Sequence, residues 1–245
     1  MAYRMSTRRK LAIASWDGPR EGNIYGKLSL DATNALAYLD KLSKQTGEKV
    51  TITHLIGKAI GVALSQAPTL NGRIVWGRFE PFPTVDIAFL VALEDGADLA
   101  KAKVCEINKK PLAEVARELR SKAEQLKKGD PDFEKSKGAI RALPTWLLKP
   151  IVTLTGFLSS SLGLSIKALG VQPFPFGSAI ITSVGMFGID EAFVPPTPFA
   201  RVPLYILVGA VRERPYVNNG EVKIRSEITI TATIDHRFID GAQLG

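Results

Sequence analysis

Two strand-like segments near the C-terminal end, residues 204–212 and 222–234, constrain this chain more than any other feature. Both read as strands, and the second ends in the alternation of Ile230, Ala232 and Ile234 that marks one buried face. Asn218, Asn219 and Gly220 lie between them, and an Asn-Gly pair accepts the positive backbone angles of a tight hairpin turn. The two segments are therefore an antiparallel pair. A further strand is predicted over 178–184 and a short one over 23–30. The near-continuous apolar run 85–93 reads as a central strand buried on both faces, closed by the turn residues Glu94, Asp95 and Gly96.

Elsewhere the apolar period becomes helical. Asp31 is a candidate N-cap for a helix whose face carries Ala35, Leu39 and Leu42 and which ends at Gly47. Residues 53–66 form a second helix, with Leu55, Ile56, Ala59, Ile60, Ala63 and Leu64 turned inward and Pro68 beyond its end. His54 falls in its first turn, where a capping or surface role is expected. Residues 111–128 form a third, with Pro111 at the first helical position, an apolar stripe through Val115, Leu119 and Leu126, and Gly129 closing it. Strands with antiparallel pairing, covered by amphipathic helices, predict an α/β chain, an α+β two-layer sandwich on a mixed sheet. Without an internal repeat or a linker-like stretch, residues 1–245 read as one domain.

Residues 130–175 break the pattern. Lys149 and Lys167 bracket a charge-free segment that is slightly short for a bilayer span and is interrupted by Gly156, Ser159, Ser160, Ser161 and Gly163. A transmembrane helix is not expected. Leu143, Leu147, Ile151, Leu154, Leu158 and Leu162 nonetheless recur at helical spacing beside Trp146 and Phe157, so one or two helices with a broad apolar face are predicted over about 141–169. That face requires a cover. In order of preference the covers are the core or another copy of the chain, a membrane surface, and an apolar acyl chain beneath a lid.

Composition limits the chemistry. At 245 residues the chain can bury a sizeable core, and its 45% apolar and 23% charged residues are those of a globular protein. Cys105 is the single cysteine, which excludes an intrachain disulfide and a cysteine-based zinc site. His54 and His236 are the only histidines, too few for a histidine-rich metal centre, so no metal is expected. The N-terminal stretch holds no apolar run of signal length, and a reducing, cytoplasmic location is expected. The net charge of +8 suits anionic partners such as a phosphorylated cofactor. Its cations cluster only at Arg8, Arg9, Lys10 and at Lys127, Lys128, without interleaved aromatic residues, so nucleic acid is not expected.

The chemistry gathers where the last strand runs out, through Asp235, His236, Arg237, Phe238, Ile239, Asp240 and Gly241. A histidine titrates near neutral pH and can abstract a proton there, and a strand end fixes its backbone while leaving the ring free to face a cleft. Asp240 can hold an arginine or cap the turn, and Gly241 permits a close backbone approach. A structural, salt-bridged turn reads equally well from the spacing alone.

The run Asp235 to Gly241 resembles the His-Arg-x-x-Asp-Gly signature of the dihydrolipoamide acyltransferase (E2) catalytic domain of 2-oxo acid dehydrogenase complexes, which is related in fold to chloramphenicol acetyltransferase. Ile181, Thr182, Ser183, Val184, Gly185, Met186, Phe187 and Gly188 resemble the family's Thr/Ser-Asn-x-Gly segment, and Asn218, Asn219, Gly220 fits its usual hairpin. Weaker echoes are Arg8, Arg9, Lys10 and the stretch Leu70, Asn71, Gly72, Arg73, Ile74. The resemblance implies a chloramphenicol acetyltransferase-like mixed sheet covered by helices, a homotrimer or larger assembly of trimers, and active sites between subunits. It implies His236 as general base toward a thiol, Thr182 of a neighbouring subunit as donor to the oxyanion, and Asp240 as holder of the local geometry through an arginine. It further implies coenzyme A as a substrate beside Ser183, Gly185 and Arg237, and a lipoyl group supplied by another chain, because no lipoyl or subunit-binding segment precedes the core in this sequence.

Several positions depart from the family pattern. Ser183 stands where the family has Asn. Asp95, Gly96, Ala97, Asp98, Leu99 and Ala100 replace its Gly-Leu-x-Val-Pro-Val segment, the apolar stretch 141–169 is extra, and Gly245 falls where a closing helix is usual. Two alternatives to the acyltransferase therefore stand: an E2-like scaffold with impaired catalysis, and an acyltransferase held at a membrane surface by 141–169.

Overall fold

A computed structural model describes residues 22–93, 98–131, 134 and 145–241. The elements run β1 Asn23–Asp31, α1 Thr33–Thr46, α2 Ile52–Gln66, β2 Gly72–Val75, β3 Arg78–Pro81, β4 Ile87–Leu93, β5 Asp98–Val104, α3 Leu112–Lys127, α4 Thr145–Gly156, β6 Ala179–Ser183, β7 Leu204–Asn218 and β8 Glu221–Asp235. Six strands form one sheet in the order β1-β8-β7-β6-β4-β5, and β2 pairs with β3 alone. β6 lies parallel to both β4 and β7, while the remaining pairs are antiparallel, which makes the sheet mixed.

Alternation along the strands produces two unlike faces. Ile87, Phe89, Ile181, Ile206, Val208 and Ile234 point to one side, where Ile56 and Leu64 of α2 and Val115 and Leu119 of α3 complete the main core. Leu39, Val50 and Ala116 extend the helical layer toward α1. Ala88, Ile180 and Tyr205 point to the other side, where Ala200 and Val202 cover them. The crossing chain is pinned there by side chains of the sheet: Tyr205 donates to the Thr197 carbonyl and accepts the Thr197 N–H at 2.9 Å, and Thr231 donates to the Ala192 carbonyl. The predicted two-layer α/β arrangement is thus the observed one.

Helix ends sit within a residue or so of expectation. Asp31 closes β1 and leaves the N-cap to Ala32, but its carboxylate accepts the Thr33 N–H at 2.9 Å and so still serves the first turn of α1. Pro111 sits just before α3 with ψ 150°, outside the helix. His54 does cap: its Nδ1 accepts the Thr51 N–H at 3.1 Å. At the hairpin turn Asn219 and Gly220 take φ of 52° and 83°, as a primed turn demands.

Four sequence expectations require correction. β4 is flanked by β6 and β5, one strand from the sheet edge, so only Ile87, Ala88, Phe89 and Leu93 are fully buried; Leu90, Val91 and Ala92 are half-buried, and Leu90 lines a cleft. β5 was not predicted: Ala100, Ala102 and Val104 form its buried face with Lys101 and Lys103 on the other, but alanine gives a weak strand signal. The β2–β3 hairpin was also missed; Trp76 and Gly77 make its turn at φ of 50° and 73°, and tryptophan carries no turn signal. In the apolar insertion the buried residues among those described are Gly156, Ser159, Ser160 and Ser161, whereas Leu154 is 57% exposed. Two of the serines find carbonyl acceptors: Ser159 donates to the Thr155 carbonyl at 2.7 Å and Ser160 to the Phe199 carbonyl at 3.3 Å. This stretch packs on its own chain, and among the described residues no helix is long and apolar enough to cross a membrane. Arg8, Arg9, Lys10, the turn Glu94 to Gly96, Leu143, the side chains of Trp146 and Leu147, and the end at Gly245 lie outside the described residues.

Candidate active site

His236 is the first residue beyond β8, and the turn that carries it is held from both sides. Its backbone N–H donates to the Gly22 carbonyl at 2.6 Å, and Asp235 N–H donates to the Pro203 carbonyl at 2.9 Å. Phe238 and Ile239 are buried in the main core, with the Phe238 ring edge-on to Phe79 at 6.0 Å. Two anchors so close to the histidine leave its backbone little freedom while its side chain stays 29% exposed.

Among the described residues the motif's charges meet one another. Arg237 serves Asp235, whose carboxylate accepts the Arg237 backbone N–H at 3.0 Å and its Nε and Nη2 at 2.9 and 2.5 Å. Asp240 stands with Oδ1 3.6 Å from His236 Nδ1, one helical turn away in sequence. A carboxylate there favours the ring orientation that leaves the other nitrogen for proton transfer, and stabilises the imidazolium once a proton is taken. Arg237 is thereby a clamp on the turn, in addition to the coenzyme contact that the resemblance implied.

Thr182 lies near the C-terminal end of β6. It shares a sheet face with Ile180 and Tyr205, whereas Ser183 falls on the opposite, helix-side face with Ile181. The chain then makes a tight turn at Gly185–Phe187 and returns against a bulge in β7 between Val208 and Val211. The bulge frees the Ala210 N–H, which donates to the Ile189 carbonyl at 2.9 Å. Gly185 is required by this contact, since a Cβ there would stand 2.8 Å from the Gly209 carbonyl oxygen, so its structural reason is packing. Arg212 Nε and Arg214 Nη2 then fix Asp190 at 2.7 and 3.0 Å.

Register places Thr182 far from His236 within one chain. Thr182 is aligned with Leu207 and Leu207 with Thr231, while His236 lies beyond Asp235 at the other end of β8. Five residues of strand are about 16 Å, and two strand spacings add about 10 Å across the sheet. A hydroxyl and an imidazole so separated cannot serve one carbonyl. The groups come together only if a second copy presents its Thr182 edge to the first copy's histidine.

A cleft of ≈ 640 Å³ opens on the Thr182 face, with Leu90, Ile180, Phe176 and Tyr205 in its lining and Lys101 and Lys103 at its border. Lys101 Nζ lies 4.9 Å from the centre of the Phe176 ring, and Lys103 Nζ 3.5 Å from Asp86 Oδ2. Tyr205 is pushed up to about 12 by burial, so its hydroxyl stays protonated and serves as a post for Thr197. The segment that departs from the family pattern therefore leads into β5, a wall of this cleft. Its two lysines were legible only as alternate residues in a strand that the sequence did not announce. Among the described residues no three His, Cys, Asp or Glu side chains gather to hold a metal ion.

A mixed sheet with helices on one face and a histidine turn at the end of its long hairpin is the chloramphenicol acetyltransferase-like fold; a chloramphenicol acetyltransferase superimposes with a TM-score of 0.53 at 14% identity, over 100% of this chain and 94% of that one. Within it, the chain belongs to the 2-oxoacid dehydrogenases acyltransferase (catalytic domain) family, which it matches over residues 23–141 and 167–245, leaving out most of the apolar insertion. A dihydrolipoyllysine-residue acetyltransferase component of the acetoin cleaving system of Bacillus subtilis is 27% identical over 80% of this chain and 39% of its own length. A probable mitochondrial succinyltransferase component of the 2-oxoglutarate dehydrogenase complex of Schizosaccharomyces pombe is 23% identical over 84% of this chain and 37% of its own. The chain thus spans under two-fifths of the length of these two relatives. Among solved structures, a probable dihydrolipoamide acetyltransferase from Listeria monocytogenes covers 100% of this chain and 89% of its own, with a TM-score of 0.67 at 16% identity.

Proposed function

We propose that this chain transfers an acyl group between coenzyme A and a thiol, of dihydrolipoyl type or another small acceptor, at sites shared between the subunits of a homotrimer or a larger assembly of trimers. The observation that carries the reading is the anchored, half-open His236 with the Asp240 carboxylate 3.6 Å from its Nδ1. His236 takes the proton of the incoming thiol, the thiolate adds to the thioester carbonyl, and the oxyanion accepts a hydrogen bond from Thr182 of a neighbouring subunit. Collapse expels the second thiolate, which recovers the proton from His236. A thiol with a pKa of about 8.5 is mostly protonated at neutral pH, and a positioned base is worth about a hundredfold to ten-thousandfold. One oxyanion donor is worth about 3–4 kcal/mol.

The cleft suits the coenzyme in charge and shape. Lys101 and Lys103 border it for phosphates, and Ile180 in its lining shares a sheet face with Thr182 two residues on. Exposed apolar residues support assembly: Tyr25 and Leu28 on β1 are 59% and 55% exposed, and Met186 and Phe187 beyond Thr182 are 73% and 51% exposed. Monomers seldom leave that much large apolar surface in water. A related cubic core of a pyruvate dehydrogenase complex shares the fold at a TM-score of 0.65.

His236→Ala tests the reading. Turnover of acyl-CoA with a dithiol acceptor is expected to fall at least a hundredfold while light scattering shows the oligomer unchanged. Turnover equal to wild type removes His236 from the mechanism.

A further inference from the structure

The turn that carries His236 also walls a second, smaller cavity of ≈ 270 Å³, in which Arg201 and Arg237 stand among Ile74, Trp76, Phe157 and Phe238. Two guanidinium groups thus share one small space, and their charges are unequally answered. Arg237 commits Nε and Nη2 to Asp235 and leaves Nη1 over. Arg201 donates Nη1 to the Ser161 hydroxyl at 3.3 Å and lies over the Phe157 ring at 5.1 Å. Among the described residues no carboxylate stands within ion-pair distance of Arg201.

The cavity is arranged at some cost. Desolvation, and after it the positive charge of Arg237, draws the Arg201 pKa below the usual arginine value, yet a guanidinium remains protonated in a protein. Arg201 also sits at φ 52°, in the left-handed region that long side chains rarely occupy. Strain of this kind is characteristic of binding and catalytic positions. Trp76, at the tip of the β2–β3 turn, is 78% exposed and meets Phe157 edge-on at 5.3 Å, which gives the cavity an open aromatic wall. An anion placed between the two arginines answers the surplus charge, and the planar fork of each matches a carboxylate or phosphate.

Building on the acyl-transfer reading above, we propose that this cavity receives the distal anionic group, a carboxylate or a phosphate, of a substrate whose reacting end reaches His236, and that Arg201 is the residue that selects for it. The volume favours a small group. At ≈ 270 Å³ the cavity lies below the range of about 300–1,000 Å³ typical of drug-sized ligands. It has room for a short carbon chain ending in a carboxylate, or for one phosphate, but not for a nucleotide.

Calorimetric titration of the full chain with succinate and, separately, with inorganic phosphate reads the site without turnover. Wild type is expected to bind at least one of them. Arg201→Gln is expected to lose at least tenfold in affinity, about 1.4 kcal/mol, and Arg201→Lys, which keeps the charge without the fork, to fall between. Tighter succinate identifies a carboxylate-ended acyl group, and Arg201→Gln then lowers the ratio of succinyl-CoA to acetyl-CoA turnover. Tighter phosphate identifies a coenzyme phosphate, and that ratio then holds. Both results support the site. Binding of neither anion, or equal binding by wild type and Arg201→Gln, overturns it. A chain that binds the anion through Arg201 but transfers no acyl group keeps this cavity and loses the transfer reading.

Discussion

Arg237 folds back onto the carboxylate of Asp235, two residues earlier, and donates to it from both its backbone N–H and its guanidinium. Asp235 is 3% exposed, so the pair is a buried clamp around the residue between them, His236. Asp235→Ala would strand the Arg237 charge and open the turn. The expected loss in unfolding free energy is about 3 kcal/mol, measured by urea denaturation, with turnover falling as the histidine loosens. A variant as stable as wild type would show that the clamp contributes nothing to the fold.

Because Thr182 and His236 are too far apart to meet within a chain, the proposed site is shared between copies. Thr182→Val is expected to lower turnover about a hundredfold to a thousandfold on its own. Mixed assemblies of Thr182→Val with His236→Ala, unfolded and refolded together, should then regain part of the wild-type rate, because some interfaces join an intact Thr182 to an intact His236. Mixtures no faster than the two parent variants would place both groups outside a common site.

His54 links stability to pH. Burial holds its pKa below the usual histidine value, and its Nδ1 must stay unprotonated to accept the Thr51 N–H. The unfolded chain therefore binds the proton more readily, and stability rises with pH across the window. The contribution is complete above the ordinary value of 6.5 and is lost as pH falls through the lower, folded value. His54→Gln retains a capping acceptor without titrating. Its urea midpoint is expected to change less than that of wild type as pH is lowered from about 8 to 5, and parallel curves would exclude His54 as the source.

Much of the frame was legible because its signals are local. Asn219 and Gly220 announce a turn whose angles few other residues adopt, and the stripes of α2 and α3 repeat at the helical period over several turns. His54 as a cap follows from its place in a first turn. β5 and the β2–β3 hairpin were not legible, since short strands with small or mixed side chains acquire their structure from the neighbours they pair with. The three buried serines misled for the converse reason: the burial of a hydroxyl depends on a distant carbonyl, here that of Phe199 for Ser160.

By itself the amino-acid order determined which residues could perform chemistry: a histidine at a strand end, an aspartate four positions later, a hydroxyl ahead of a glycine turn. Only the tertiary structure decided how they are shared. It gave Arg237 to Asp235, set Asp240 beside the imidazole, held Thr182 and His236 about 16 Å apart along the strands, and drew Arg201 toward Arg237 from a loop with no motif. Turn angles and helical stripes arise from neighbours along the chain. Distances between charges depend on which strands pair and in what register, and that is settled by burial across the whole sheet.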